Sequence, residues 1–483
     1  MTEIPRNSKK GIAGFDRSNY PQQSKLEPVG HESNSIEDNM RSFTAPRGHF
    51  LCIAAALVCL VPGIAWADGE STGGGESTPL TLPDLGTGIF SRLPLHVSAS
   101  VRGGYDDNVN TTQFGKQDSW FTNASAILSY TLGTPRTNLT LSTTTGITYY
   151  FANVSNQYEP DLNLSLVLTH KASPRLSFTV NAFASYQTEP DFQYGLGTNR
   201  RNGNYFSTQD KFGVTYLWTP RFSTATSYTF GAVRYDDIAT GLFEDRVENT
   251  IGNEFRFLLW PTTSLVGEYR FQVVSYAHEG GVIVPAMPAV FDINGVLVTP
   301  ARPAVQLQRD STTHFLLAGL DHAFSSRITI SLRGGMEIRD YYDDPATGET
   351  TSPYFEGTVN YALGKDTTVA WTNRYGIEEG DVAFNPTRTT FRTGLQGTHR
   401  LASRISGTVS AYFTHDNYDS FTSGTTVNPS FTEDTVDISV SLRYAVTRYL
   451  GAEAGYNHGE VSSGTSLRDY SRNRIWAGLN FAF

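Results

Sequence analysis

The chain has 483 residues, 39% hydrophobic, 17% charged and 12% aromatic, with a net charge of −10 and a mean hydropathy of −0.30. Plentiful aromatics with sparse charge exclude a disordered chain. Two cysteines exclude a disulfide scaffold, the hydropathy excludes a bundle of many apolar helices, and the acidic balance argues against nucleic acid or an anionic surface held by bulk charge.

In chain order, the first element is an apolar run, residues 50–67, behind Arg41 and Arg47. It ends Gly63-Ile64-Ala65-Trp66-Ala67, an A-x-A cleavage pattern before Asp68, which is the form of a secretory signal. A membrane anchor is disfavoured because the run is short and broken by Pro62. Residues 1–67 are therefore expected to be a signal with an extended polar leader, and Met40 offers an alternative start that gives a signal of ordinary length. Cys52 and Cys59 both fall inside it, so the exported chain is expected to lack cysteine. Val58 is too bulky for the small residue that precedes a lipidated cysteine. From Asp68 onward, 30 Lys+Arg stand against 41 Asp+Glu, a net charge of −11. Residues 68–93, rich in Gly, Ser and Thr at their start, read as a periplasmic linker, and residues 94–483 as one barrel domain.

The barrel reading begins with a recurring short turn. Thr134-Pro135-Arg136, Ser173-Pro174-Arg175, Thr219-Pro220-Arg221 and Trp260-Pro261-Thr262 are followed by Ser325-Ser326-Arg327, Gly364-Lys365-Asp366, Ala402-Ser403-Arg404 and Val446-Thr447-Arg448. Proline pre-sets the turn dihedral and cannot sit in a central strand, so these mark chain reversals. They recur every 38–46 residues except for one interval of 65, which fits one hairpin and one longer loop per period. The flanks alternate with period two. Val436, Ile438, Val440, Leu442 and Tyr444 share one face, and Asp437, Ser439, Ser441 and Arg443 the other. A soluble sandwich alternates likewise but with strands of about 5–6 residues. Runs of about 12–16 suffice to cross a bilayer, which takes about 9–11 when tilted.

The expected fold is an all-β transmembrane antiparallel β-barrel of about 18 strands, with 16 as the alternative, strict alternation of short periplasmic turns and longer extracellular loops, and both ends on the periplasmic side. The first strand is expected near residues 95–105 and the last at 470–483. The last strand ends Gly478-x-x-Phe481-x-Phe483, which resembles the signal by which outer-membrane proteins are handed to the barrel assembly machinery. The first, Val101-Arg102-Gly103-Gly104-Tyr105-Asp106-Asp107-Asn108-Val109, resembles the opening of the beta-barrel porin type 2 family of Gram-negative outer membranes. The resemblance implies an outer-membrane barrel surrounded by lipid and lipopolysaccharide. Some relatives sit beside polysaccharide-secretion machinery, so a periplasmic export partner is the alternative to a freely diffusive pore.

If apolar residues face lipid, then Arg102, Glu254, Glu268, Arg270, Arg333, Glu337, Arg374, Arg392 and Arg474 face inward, most of them near mid-height. A Lys or Arg on the lipid face at midplane would cost about 2–4 kcal/mol, which favours that assignment. Arginine stays charged and pairs bidentately with carboxylate or phosphate. One reading is an Arg-biased constriction for polar or anionic solutes. The other is cross-strand pairing that holds the wall, suggested by Glu268 and Arg270 beside Glu254 and Arg256.

Residues 278–308 form an exceptional loop around Asn294-Gly295, a favoured hairpin turn, and inward and outward placements are equally open. The eight histidines after the signal are scattered, so no catalytic role, cofactor or metal is expected. Asp106-Asp107 and Tyr341-Tyr342-Asp343-Asp344 read as solvated loops, with bridging of lipopolysaccharide through divalent cations as the weaker alternative. Tyr149-Tyr150-Phe151, Trp218, Tyr228, Trp260, Tyr341-Tyr342, Tyr449 and Trp476 are expected at headgroup level. Monomer and homo-oligomer stay open, because lipid-facing and subunit-facing apolar surfaces look alike.

Overall fold

The computed structural model describes residues 94–483 apart from positions 153, 155–156, 193–197, 201–202, 278–281, 285–289, 292–296, 300–304, 307–308, 343–348, 383–384, 424–425 and 466. The expected signal and linker lie outside the described residues.

Eighteen long strands follow one another. The first six are β1 (Leu95–Asp106), β2 (Ser119–Gly133), β3 (Thr137–Tyr150), β4 (Tyr158–Lys171), β5 (Leu176–Thr188) and β6 (Asn204–Thr219). Next come β7 (Phe222–Tyr235), the short helix α1 (Ile238–Glu244), β8 (Arg246–Trp260), β9 (Thr263–Tyr276), β10 (Ser311–Ser325), β11 (Ile328–Tyr341) and β12 (Glu349–Leu363). The wall is completed by β13 (Thr367–Val382), β14 (Asn385–Ala402), β15 (Ile405–Tyr418), β16 (Phe431–Ala445), β17 (Leu450–Ser463) and β18 (Tyr470–Ala482). Each pairs antiparallel with the next, and β18 pairs back onto β1 from Ser98↔Ala482 to Asp106↔Arg474, so the sheet closes without an edge.

Thr, Val and aromatic residues suit the pleated surface, and period two decides which face each meets. In β16, Ile438, Val440 and Leu442 point outward and are exposed, whereas Glu433, Thr435 and Asp437 point inward and are buried. All eight short turns fall where expected and share one end of the barrel. At the other end the connections are longer, with one exception. β13 and β14 are joined by residues 383–384 alone, so the strict alternation expected of turn lengths fails there. The residues expected in a loop have gone into two long strands instead. β13 leaves β12 beyond the Phe355↔Tyr375 pair while staying on β14 as far as Val382↔Asn385.

Within the long 277–310 connection, Val282–Val284 pairs with Val305–Gln306 and Val290–Phe291 with Leu297–Thr299. Asn294-Gly295, and the question of inward or outward placement, lie outside the described residues.

Two close approaches shape the barrel at and beside its seam. A Cβ on Gly478 would lie 2.4 Å from the Val101 carbonyl oxygen and 2.8 Å from Arg102 Cγ. One on Gly455 would lie 2.3 Å from Trp476 Cζ2, so the missing side chains there make room for Arg102 and Trp476.

Three of the expected girdle aromatics are corrected. Tyr150 and Tyr341 are buried on the inner face among charged partners, and Trp476 lies inside beneath the Arg102 guanidinium, 4.6 Å from its ring. Trp218, Trp260 and Tyr449 are exposed on the outer wall near the turns, and Phe151 and Tyr342 at the loop end, whereas Tyr228 is exposed midway along β7 and not at a strand end as expected.

Candidate functional site

The interior of the barrel is the candidate site, and strand parity builds it. Each of the nine charged residues singled out above occupies the parity opposite its strand's exposed apolar side chains: Arg102 against Val101, Glu254 against Phe255, Glu268 and Arg270 against Tyr269, Arg333 and Glu337 against Leu332 and Met336, Arg374 against Trp371, Arg392 against Leu395, Arg474 against Ile475.

Four of the nine come together on β8–β12. Arg333 reaches Asp321 at 2.7 Å, Glu268 at 3.6 Å and Glu254 at 3.8 Å. Arg256 binds Glu254 at 2.6 Å and Asp321 at 3.2 Å. Arg270 pairs with Glu268 and donates to Glu356 at 3.0 Å, where the Tyr354 hydroxyl donates at 2.6 Å. Three guanidiniums thus share four carboxylates, a ladder in which neither sign is left unopposed.

The other five sit apart. Arg102 pairs across the seam with Glu453 at 2.6 Å. Arg474 joins Arg472, Asp106, Glu159 and Tyr150, with Arg472 2.6 Å from the fully buried Asp106. Asp106 is therefore an interior ion-pair partner, which corrects its reading as a solvated loop residue. Asp107 accepts from the Asn473 backbone N–H at 2.7 Å and side-chain amide at 2.6 Å. Glu337 accepts from the Ile377 backbone N–H, Arg374 lies 3.5 Å from Glu378, and Arg392 donates to the Phe192 carbonyl. Asp343 and Asp344 lie outside the described residues, and no group of three or more potential metal ligands occurs among the described ones.

Two features at the loop end carry no periodic signal in the sequence. The β5–β6 connection, residues 189–203, reaches the far wall. Asn199 donates to Glu433 on β16 at 3.1 Å, its carbonyl accepts from the Tyr470 hydroxyl on β18 at 2.6 Å, and Phe192 meets Arg392 on β14. At its near root, Tyr235 donates to Glu189 at 2.7 Å and Tyr205 to Asp191 at 2.8 Å.

The second is the tip of the β13–β14 hairpin, held from both sides. On one side Arg309 donates to the Gly380 carbonyl, while Tyr276 and Arg339 bind Glu379 at 2.7 and 2.5 Å. The same Arg309 lies 3.3 Å from Glu244 at the end of α1. Burial pushes the Glu244 carboxyl above its ordinary value, against the pull of Arg309 and Arg246. On the other side Arg468 binds Asp381 at 2.9 Å, Tyr418 donates to Asp381 at 2.5 Å, and Arg388 binds Asp416 at 3.3 Å.

Parity alone would have added Asp321, Glu356, Arg339, Arg388 and Arg472, which share a face with the residues chosen. Nothing periodic marks Arg309, Arg468 or Asn199, because they lie on connections.

Solved structures of known proteins match the chain along most of its length at low identity. The outer membrane protein opdK from Pseudomonas aeruginosa matches 80% of this chain and 99% of its own at 12% identity, with a TM-score of 0.38. OccAB4 of Acinetobacter baumannii matches 83% and 100% at 10% identity and a TM-score of 0.37. The siderophore receptor PirA from Pseudomonas aeruginosa matches 80% of each chain at 11% identity and 0.36. At such scores no residue role carries across. No curated protein matches the chain. The protein is an eighteen-stranded outer-membrane barrel, and its residues 299–483 match the family described as Putative beta-barrel porin 2, the family that its opening strand resembles.

Proposed function

We propose that the barrel is a channel through which small polar solutes, anions among them, diffuse passively across the outer membrane. The observation that carries this reading is the closed wall of eighteen strands with a polar, ion-paired inner face. About eight strands are filled by their own side chains, whereas about 16–18 leave room for an aqueous passage. The preference for anions rests on Arg102 and Arg374, whose side chains keep 36% and 49% of their exposure beside their carboxylate partners. This reading includes delivery by the barrel assembly machinery through Gly478, Phe481 and Phe483, and an outer rim surrounded by lipopolysaccharide.

A second reading draws on the contacts of Phe192 and Asn199 with the far wall and on the clamped hairpin tip. In it the barrel is closed at rest and opens with a periplasmic export partner. Purified protein in planar bilayers under a salt gradient separates the two. Stable open steps with a reversal potential on the anion side support the diffusive channel. Silence at every voltage overturns it and leaves the partner-gated barrel.

A further inference from the structure

The outer wall at the turn end carries a site that the channel reading does not use. A groove of about 520 Å³ runs across β8–β11, walled by Trp260 and Phe324 and floored by Leu259, Leu320, Ile330 and Leu332. Within it Thr263 Oγ1 and His322 Nδ1 are hydrogen-bonded at 2.8 Å, and the His322 ring meets Phe324 edge-on at 4.2 Å. In the tautomer in which the Thr263 hydroxyl donates to Nδ1, the ring proton sits on Nε2, where it can be given to a ligand.

The arrangement recurs. Thr137 binds His170 at 2.6 Å and Thr367 binds His399 at 2.7 Å, each Thr opening a strand straight after a turn and each His one strand over. Charge is distributed to match. The eight turns hold six Arg and one Lys against one Asp, all exposed, whereas the connections at the other end hold 15 Asp+Glu against 6 Lys+Arg. The net acidity of the chain therefore conceals a basic collar at the periplasmic rim. Arg221 and Arg327 stand exposed on turns at the same end of the barrel: the Arg221 carbonyl accepts from Leu258 N–H at 2.7 Å on β8, and Arg327 lies in the turn after Phe324.

We infer that this groove holds a glycerophospholipid of the periplasmic leaflet, with its phosphate at the His322 Nε2–H and the exposed Arg221 and Arg327, and an acyl chain between Trp260 and Phe324. An apolar trough that holds an imidazole N–H, below exposed cations on the turns at headgroup height, fits that chemistry. A periplasmic protein would meet the collar but could not enter a trough on the membrane face. The inference rests on the outer-membrane location and not on whether the interior conducts.

Native mass spectrometry of the full-length protein, released from detergent with added dioleoyl phosphatidylglycerol or dioleoyl phosphatidylcholine, tests it. Wild type retains phosphatidylglycerol in preference to phosphatidylcholine. His322→Ala lowers that retention about tenfold. Arg221→Gln with Arg327→Gln, on exposed turns, removes the preference between the two lipids, and heat-modifiable migration reports folding of each variant. Equal retention of both lipids by wild type overturns the inference, as does wild-type retention by either variant. So does an equal loss on Tyr449→Ala, which lies across the barrel and reports only the general lipid annulus.

Discussion

Arg468 Nη2 lies 2.9 Å from Asp381 Oδ2, tying the connection between β17 and β18 to the tip of a hairpin four strands away. The same guanidinium reaches Glu433 through Nε at 2.7 Å, and both carboxylates are almost wholly buried. Arg309 holds the opposite side of that tip through the Gly380 carbonyl. The hairpin is thus fixed over the interior by two arginines from two connections, and neither is part of the barrel wall.

Arg468→Gln should release one side. Removing one member of a buried ion pair costs about 3–5 kcal/mol, because the partner charge is left uncompensated. Here two carboxylates lose that partner, so the tip should move toward solvent rather than stay in place. The expected outcome in planar bilayers is larger or more frequent open steps with folding intact by heat-modifiable migration. Unchanged step size would show that the tip does not limit passage.

The β5–β6 connection offers an independent control. Tyr470→Phe removes the hydrogen bond to the Asn199 carbonyl, and Asn199→Ala removes those to Glu433 and Thr435. A typical neutral bond contributes about 1 kcal/mol and one to a charged group about 1.5–3 kcal/mol. The double variant should therefore free the connection from the far wall. Proteolysis beside Asn199 should become faster, and conductance should rise. Neither change would be expected if the contact were incidental.

How much of this could be read from residues alone follows from what repeats. Val436, Ile438 and Val440 alternate with charged and hydroxylic neighbours, and the Pro-Arg turns recur, so the wall, its strand count and the inward parity of Arg333 or Arg474 were legible. The crossing of the interior was not. Asn199 and Arg468 meet Glu433 from opposite directions in the chain, 234 and 35 residues away, and no local pattern encodes such a meeting. Tyr150 and Tyr341 misled for the opposite reason. An aromatic near a strand end suits a headgroup, but parity turned these two toward Asp106, Glu159 and Arg339.

Two interior arginines should respond differently to truncation. Arg333 is almost fully buried and shared by three carboxylates, so Arg333→Ala should cost stability in the same range of about 3–5 kcal/mol and lower the melting temperature of the barrel. Arg374 is half exposed with one carboxylate at 3.5 Å, so Arg374→Ala should leave folding nearly intact. Its effect should instead appear in the reversal potential, which shifts toward cations. If Arg374→Ala leaves that potential unmoved, the anion preference has another source.

The seam between β1 and β18 gives the sharpest steric test. Any side chain at position 478 must pass within 2.4 Å of the Val101 carbonyl oxygen and about as close to Arg102. Gly478→Ala should therefore already disturb closure, at a cost in the range of about 1–3 kcal/mol found for overpacking. Gly478→Val should lower the heat-modifiable fraction further. The clash has two components that can be separated. Arg102→Ala removes the contact at Arg102 Cγ but leaves the backbone oxygen, so it should rescue Gly478→Ala only in part. Full rescue would place the whole cost in the Arg102–Glu453 bridge, which the added methyl would have displaced, and not in the approach of the two strands.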